Sequence, residues 1–127
     1  MVKKAIAAAP LKAVGPYSLA MDTGSVVYIS GQVHLDGATG KLVGDDVAAQ
    51  THQVFNNLKL ILDQAGLGFQ HIVKTTVFLT DMGDFAAMNE VYKTYMSEPY
   101  PARSTIEVAG LPLGARLEIE AIADRNA

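Results

Sequence analysis

The chain contains no cysteine. That absence removes disulfides, thiol nucleophiles and cysteine-ligated metals. Charge is scarce as well. Charged residues make up 18% of the 127, where an ordinary soluble domain carries about a quarter. A small domain with so few charges is expected to bury part of its surface against other subunits. The formal net charge is −3 and there is no lysine or arginine run, which argues against strong nonspecific binding to nucleic acid or acidic membranes. No apolar run approaches membrane-spanning length. Lys3 and Lys4 are followed only by Ala5–Pro10, too short and interrupted for a signal peptide, so a cytoplasmic location is expected.

Several catalytic signatures are missing too. His34, His52 and His71 show no metal-ligand spacing, and neither HxH nor HExxH occurs, so they read as structural or exposed and no metal is expected. The glycines form neither GxxxxGK[ST] nor GxGxxG, which excludes the usual phosphate loops. Serine hydrolysis by a GxSxG elbow is excluded in the same way.

What remains is a chain half of whose residues are hydrophobic, enough for one domain over residues 1–127 with a single core. There is no linker, low-complexity tract or internal repeat. Met1–Ala9 is expected to hold a short edge strand. Tyr17–Asp22 and Val26–Ser30 read as strands joined around Thr23-Gly24. Asp36-Gly37 and Thr39-Gly40 mark a loop that runs on to Gly44.

Asp45 or Asp46 can cap a helix reaching Ala65. Val47, Thr51, Val54, Phe55, Leu58, Ile61 and Leu62 fall on one face, and Gly66 and Gly68 stop it. Ile72–Thr80, rich in β-branched residues, predicts a strand. Asp81 and Asp84 can cap a second helix that buries Phe85, Met88, Tyr92, Tyr95 and Met96. Glu98-Pro99-Tyr100-Pro101 cannot continue it. Strands over Arg103–Ala109 and Ala115–Ala123 close the chain. The order β-β-β-α-β-α-β-β predicts an α+β domain, a mixed sheet with two helices on one face.

The last two strands carry charges where a one-sided sheet would show milder residues. Arg103, Thr105 and Glu107 alternate in one, and Arg116, Glu118 and Glu120 in the other. For both sets to meet on the uncovered face, the antiparallel pairing must match odd with even positions, for example Glu107 opposite Glu118. Arg103 and Glu118 would then project from one region of the sheet. A guanidinium fork beside a carboxylate can hold a small carboxylic acid and orient a water next to it.

Each of these residues also has an ordinary explanation. Arg103 fits a surface arginine or an ion pair, and Glu118 a solvated strand position. Thr105 suits any strand, although its amide and hydroxyl could help to hold a water. Ser30-Gly31-Gln32 closes a strand, and Gly31 would let a ligand approach the backbone. Tyr17 is either a half-buried aromatic or a lid over a pocket. Asn89 sits at a helix boundary beside Met88.

Six strings together alter that balance: Gly15-Pro16-Tyr17, Ile29-Ser30-Gly31-Gln32, Ile72 to Leu79, Asn89-Glu90-Val91-Tyr92, Pro101-Ala102-Arg103-Ser104 and Glu118 to Ala123. In this order, over nearly the whole chain, they resemble the RidA (YjgF) family of small trimeric proteins. The resemblance implies a chorismate-mutase-like fold and a homotrimer with a central barrel and clefts between subunits. It implies hydrolysis of reactive 2-imino acids or their enamine tautomers (2-aminoacrylate, 2-iminopropanoate, 2-iminobutanoate) to 2-keto acids and ammonia, without cofactor, metal, nucleic acid or membrane. Arg103 would grip the substrate carboxylate and Glu118 would activate a water. Thr105 would help to place that water, while Tyr17, Ser30, Gly31 and Asn89 would line the pocket. Many members carry cysteine where this chain has Thr105, so a thiol is not expected to be required. The segment Met96–Tyr100 is short beside many relatives, which could alter the pocket rim. Two other functions are attached to the family: a non-catalytic ligand-binding or regulatory module, and a translation-inhibiting endoribonuclease. Arg103 disfavours the first, and the acidic balance without a histidine pair disfavours the second.

Overall fold

The computed structural model describes residues 2–127. Helix α1 (Val47–Ala65) follows the spacing of its apolar positions. Val47, Thr51, Val54, Phe55, Leu58, Ile61 and Leu62 are all buried. Asp46 caps it by accepting the Ala49 amide at 2.8 Å. Gly66 ends it at φ 73°, a left-handed conformation that glycine adopts without a Cβ penalty. Helix α2 (Phe85–Tyr95) packs against α1. There Phe55 stacks on Tyr95 with centroids 4.4 Å apart and meets Tyr92 edge-on at 5.7 Å. Of the stripe expected for α2, Met88 and Tyr92 are buried, as is Met96 just beyond it; Phe85 and Tyr95 are half-buried.

Asp84 does not cap α2 as its position suggests. Its carboxylate takes both oxygens to the Arg116 guanidinium at 2.8 and 2.9 Å. A charge-assisted contact from one Arg116 nitrogen to both oxygens is a stronger use of that carboxylate than one amide. Asp81 instead caps the short 3₁₀ turn Met82–Asp84 leading into α2, through the Gly83 amide.

The strands are β1 (Lys4–Ile6), β2 (Ala20–Asp22), β3 (Val26–Gln32), β4 (Leu35–Asp36), β5 (Lys41–Leu42), β6 (Ile72–Leu79), β7 (Ala102–Glu107) and β8 (Leu117–Asp124). Six form one sheet in the order β1-β2-β3-β8-β6-β7. Every pairing is antiparallel except β6 with β7, which α2 connects in parallel. The two helices cover one face, as expected for this α+β order. The loop predicted over Asp36–Gly44 contains a small ribbon, with Leu35 opposite Leu42 and Asp36 opposite Lys41. The fully buried Asn57 holds it by donating to the carbonyls of Val33 at 3.1 Å and Leu35 at 2.8 Å. Too short to show an alternating pattern, β4 and β5 leave no sequence signal. The strand expected near the N-terminus is β1; Met1 lies outside the described residues.

The register predicted for the last two strands is wrong. β7 and β8 are not neighbours, because β6 runs between them. Leu117, Ile119, Ala121 and Ala123 of β8 are all buried under the helices. A strand with so complete an apolar face belongs at the centre of the sheet, and β8 lies between β3 and β6. β7 has no fully buried residue and takes the edge.

Pairing then fixes which way each side chain points. Arg103, Thr105 and Glu107 stand opposite Thr75, Val77 and Leu79 of β6, all three buried on the helix side. Glu118 stands opposite Phe78, on the other side. The uncovered face carries Met21, Tyr28, Phe78, Ile106 and Ile122 among Lys74, Thr76, Glu118 and Glu120.

Candidate active site

The site residues fall into two groups. On the helix side, Arg103 of β7 reaches α2 and donates to Asn89 Oδ1 at 2.8 Å. Its guanidinium carbon lies 4.7 Å from the centre of the Tyr92 ring and 5.5 Å from that of Phe85. Guanidinium faces are poorly hydrated and attract aromatic faces, so stacking leaves the in-plane N–H edge for polar partners. Among the described residues, no carboxylate lies within ion-pairing distance of Arg103. A partly buried cation without a counter-charge is costly, and a bound anion would relieve that cost. Beside it opens a cleft of about 450 Å³ lined by Asn89, Tyr92, Lys93, Tyr100, Pro101 and Arg103. Thr105, half-buried, shares this side one alternation along the strand.

On the uncovered side, Glu118 folds over Gly31. A Cβ placed on Gly31 would come within 2.7 Å of the Glu118 carboxyl carbon, so only glycine leaves that room. The backbone permits this approach because β3 shifts register against β8 between Ile29 and Gln32. Burial pushes the Glu118 pKa upward, and the neighbouring Glu120 charge adds to the shift. A carboxylate tuned in this way is a better proton acceptor near neutral pH than an ordinary one. Ser30 donates to the Ser18 carbonyl at 2.6 Å and lines a concavity of about 410 Å³ that also holds Tyr28, Lys74, Thr76 and Glu120. Tyr17 is exposed in the loop before β2, its hydroxyl accepting the Val14 amide at 3.4 Å.

The structure therefore brings Arg103, Asn89 and Thr105 to one side, and Ser30, Gly31 and Glu118 to the other. The expected common face for Arg103 and Glu118 does not exist within one chain, since the parallel β6–β7 pairing turns the arginine toward the helices. Arg116, expected beside Glu118, serves the Asp84 pair instead. The histidines are occupied as well. His34 is buried, with Nδ1 at 3.0 Å from the Val43 carbonyl and Nε2 accepting the Arg116 amide at 3.3 Å; burial lowers its pKa. His52 meets the Tyr95 hydroxyl at 2.8 Å, and His71 accepts the Gly68 amide at 3.0 Å. Among the described residues, no group of three His, Asp or Glu could hold a metal, and no helix is long and apolar enough to cross a membrane.

Sequence reasoning placed Tyr92 and Phe85 only in the core stripe and overlooked their contact with Arg103. Their spacing carried the signal, since Phe85 and Tyr92 lie four before and three after Asn89, on one helix face.

The family model described as Endoribonuclease L-PSP matches residues 7–125. A mouse protein named 2-iminobutanoate/2-iminopropanoate deaminase is 51% identical over 111 residues, covering 87% of this chain and 82% of its own. The crystal structure of RidA from an Antarctic Psychrobacter superposes with a TM-score of 0.90 at 45% identity, covering 95% of this chain and 98% of that one. Escherichia coli TdcF with bound serine superposes at 0.90 and 44% identity, covering 96% and 98%.

Proposed function

Since the chain belongs to the RidA (YjgF) family, we propose that it hydrolyses reactive 2-imino acids, among them 2-aminoacrylate-derived and four-carbon imines, to 2-keto acids and ammonia. The observation that carries this reading is the unpaired, stacked guanidinium of Arg103 at the mouth of its cleft. Such a fork suits a carboxylate held in two hydrogen bonds. The deaminase name of the mouse relative and the serine bound to the Escherichia coli relative support a small carboxylate-bearing substrate.

In this reading the site is completed by a second copy of the chain. Arg103, Asn89 and Thr105 of one copy would meet Tyr17, Ser30, Gly31 and Glu118 of the next. The opposite facing of the two groups supports this arrangement, as does the apolar content of the uncovered sheet face. A homotrimer satisfies a repeated head-to-tail contact of this kind and closes it. Arg103 fixes the substrate carboxylate, and Thr105 helps to place the water. Glu118 takes a proton as that water attacks the imine carbon. With the imine nitrogen protonated, this attack gives a neutral carbinolamine. Glu118 returns its proton to the nitrogen, and as the C–N bond breaks the hydroxyl proton passes back to Glu118, releasing ammonia and the keto acid. An enamine reacts after protonation at carbon gives the imine. Imines hydrolyse unaided in water, so orientation and charge placement suffice. No step calls for a metal or cofactor.

The endoribonuclease description attached to the family model finds less support. The three histidines are engaged elsewhere, and the net charge is −3. The test is keto-acid release from 2-aminoacrylate generated in situ. Wild type is expected to accelerate it and Arg103→Ala to abolish the acceleration while the oligomer persists. Full activity in Arg103→Ala would sink the reading.

A further inference from the structure

We propose that Tyr92 is a positioning residue for the Arg103 grip, locked in place by the buried hydroxyl of Thr75. This inference rests on the function just proposed and names what fixes its anchor.

Three contacts form the device. Thr75 of β6 is the register partner of Arg103 on β7, so both rise from neighbouring points on the helix side. The Thr75 and Tyr92 hydroxyls lie 2.7 Å apart, with Thr75 completely buried and Tyr92 nearly so. The Tyr92 ring in turn lies under the Arg103 guanidinium at 4.7 Å. Each buried hydroxyl satisfies the other, and neither can turn away without leaving an orphan polar group. Phe55 blocks another direction of movement with its edge-on contact at 5.7 Å. Tyr92 therefore has no freedom to follow a wandering arginine.

An arginine on an edge strand would ordinarily sample many rotamers, and ligand binding would have to order it. Here its guanidinium carbon sits over the ring, and Nη1 donates to Asn89. The cleft that Arg103 lines gives its other N–H groups access to a ligand. Prior ordering of the fork lowers the entropic cost of carboxylate binding, which improves substrate capture without changing the chemical step. The hydroxyl pair thus sets the ring, and the ring sets the fork.

The experiment measures binding of the keto acid 2-oxobutanoate by calorimetry, and KM and kcat with in situ 2-aminoacrylate, for four variants. Tyr92→Leu is expected to weaken binding and raise KM about five- to tenfold, the scale of a lost partly desolvated cation–π contact. Its kcat should stay within about twofold. Tyr92→Phe keeps the ring but breaks the hydroxyl pair, so it should weaken binding about two- to fivefold, less than Tyr92→Leu, and wild-type binding there would overturn the lock. Thr75→Val/Tyr92→Phe leaves no orphan hydroxyl and should weaken binding to the same extent. Arg103→Ala should lose binding. Unchanged binding in Arg103→Ala overturns the functional reading itself. Lost binding there, with wild-type binding in a folded Tyr92→Leu, overturns only the role of Tyr92. If Tyr92→Leu does not fold, the Arg103 Nε–H proton of the labelled wild-type protein decides. A ring-current upfield shift supports the device, and an unshifted resonance overturns it.

Discussion

Arg103 and Glu118 project from opposite surfaces of one sheet, the arginine toward Asn89 on α2 and the glutamate over Gly31 on the uncovered side. A site needing both must take them from different copies. Mixing therefore gives a direct test. Arg103→Ala and Glu118→Gln chains, each inactive alone, are expected to regain activity when unfolded and refolded together. Random one-to-one assembly should restore about a quarter of the wild-type sites, since each site draws its two halves independently. Activity measured against the mixing ratio checks this; no recovery in confirmed mixed oligomers would refute shared sites.

The Glu118 pKa is raised first by burial and then by Glu120. Glu118 must be ionised to act as a base, so activity should fall off on the acid side at a higher pH than an ordinary carboxylate would dictate. Glu120→Gln removes the second cause and should move that acid limb to lower pH. The stability effect has the opposite sense. Folded Glu118 holds its proton more tightly than unfolded Glu118, so its contribution is full below the unfolded carboxylate pKa. That contribution is lost as pH rises through the folded value. Melting temperature against pH should show a shallower decline over this window in Glu120→Gln.

Gly31→Ala should impair turnover rather than folding. The new methyl would sit 2.7 Å from the Glu118 carboxyl carbon, and the flexible carboxylate would give way. A base displaced by about 1 Å can lose on the order of a hundredfold in rate. The expected outcome is a kcat reduced at least tenfold with a melting temperature within a few degrees of wild type. Steady-state kinetics beside thermal unfolding distinguish the two effects.

Asn57→Ala should be a stability variant. It removes both hydrogen bonds to the Val33 and Leu35 carbonyls and deprives Gln53 of a partner at 3.0 Å. Loss of about 2–3 kcal/mol is expected for buried amide bonds of this kind. Denaturant titration at equilibrium measures it, and a change below about 0.5 kcal/mol would show that this anchor is dispensable.

Both helices were legible in the sequence because their apolar residues recur over several turns, and Asp46 and Gly66 mark the ends of α1. Strand β6 was legible through its β-branched content and β8 through its polar–apolar alternation. The order of strands was not. Alternation in Arg103–Glu107 states that one side differs from the other, but not which neighbour sets the side. That depends on α2 returning the chain parallel to β6, a long-range choice with no local signature. The same limit hid the split of the candidate site into two surfaces. The contact of Tyr92 with Arg103 was missed for a different reason: burial in a helix stripe explained Tyr92 fully, and its second role needed the position of β7. Asp84 misled because a carboxylate at a helix start usually caps, whereas here Arg116 claims it.

The placement of β8 between β3 and β6 has a consequence for synthesis. Val27 and Val77 both wait for partners, Ala123 and Ile119, that the ribosome delivers after every other strand. Until then the nascent chain holds two separated sheet fragments with unpaired inner edges, and contacts so distant in sequence form slowly. Premature arrest of translation anywhere before Leu117 should therefore yield sticky, protease-sensitive products rather than a smaller folded unit.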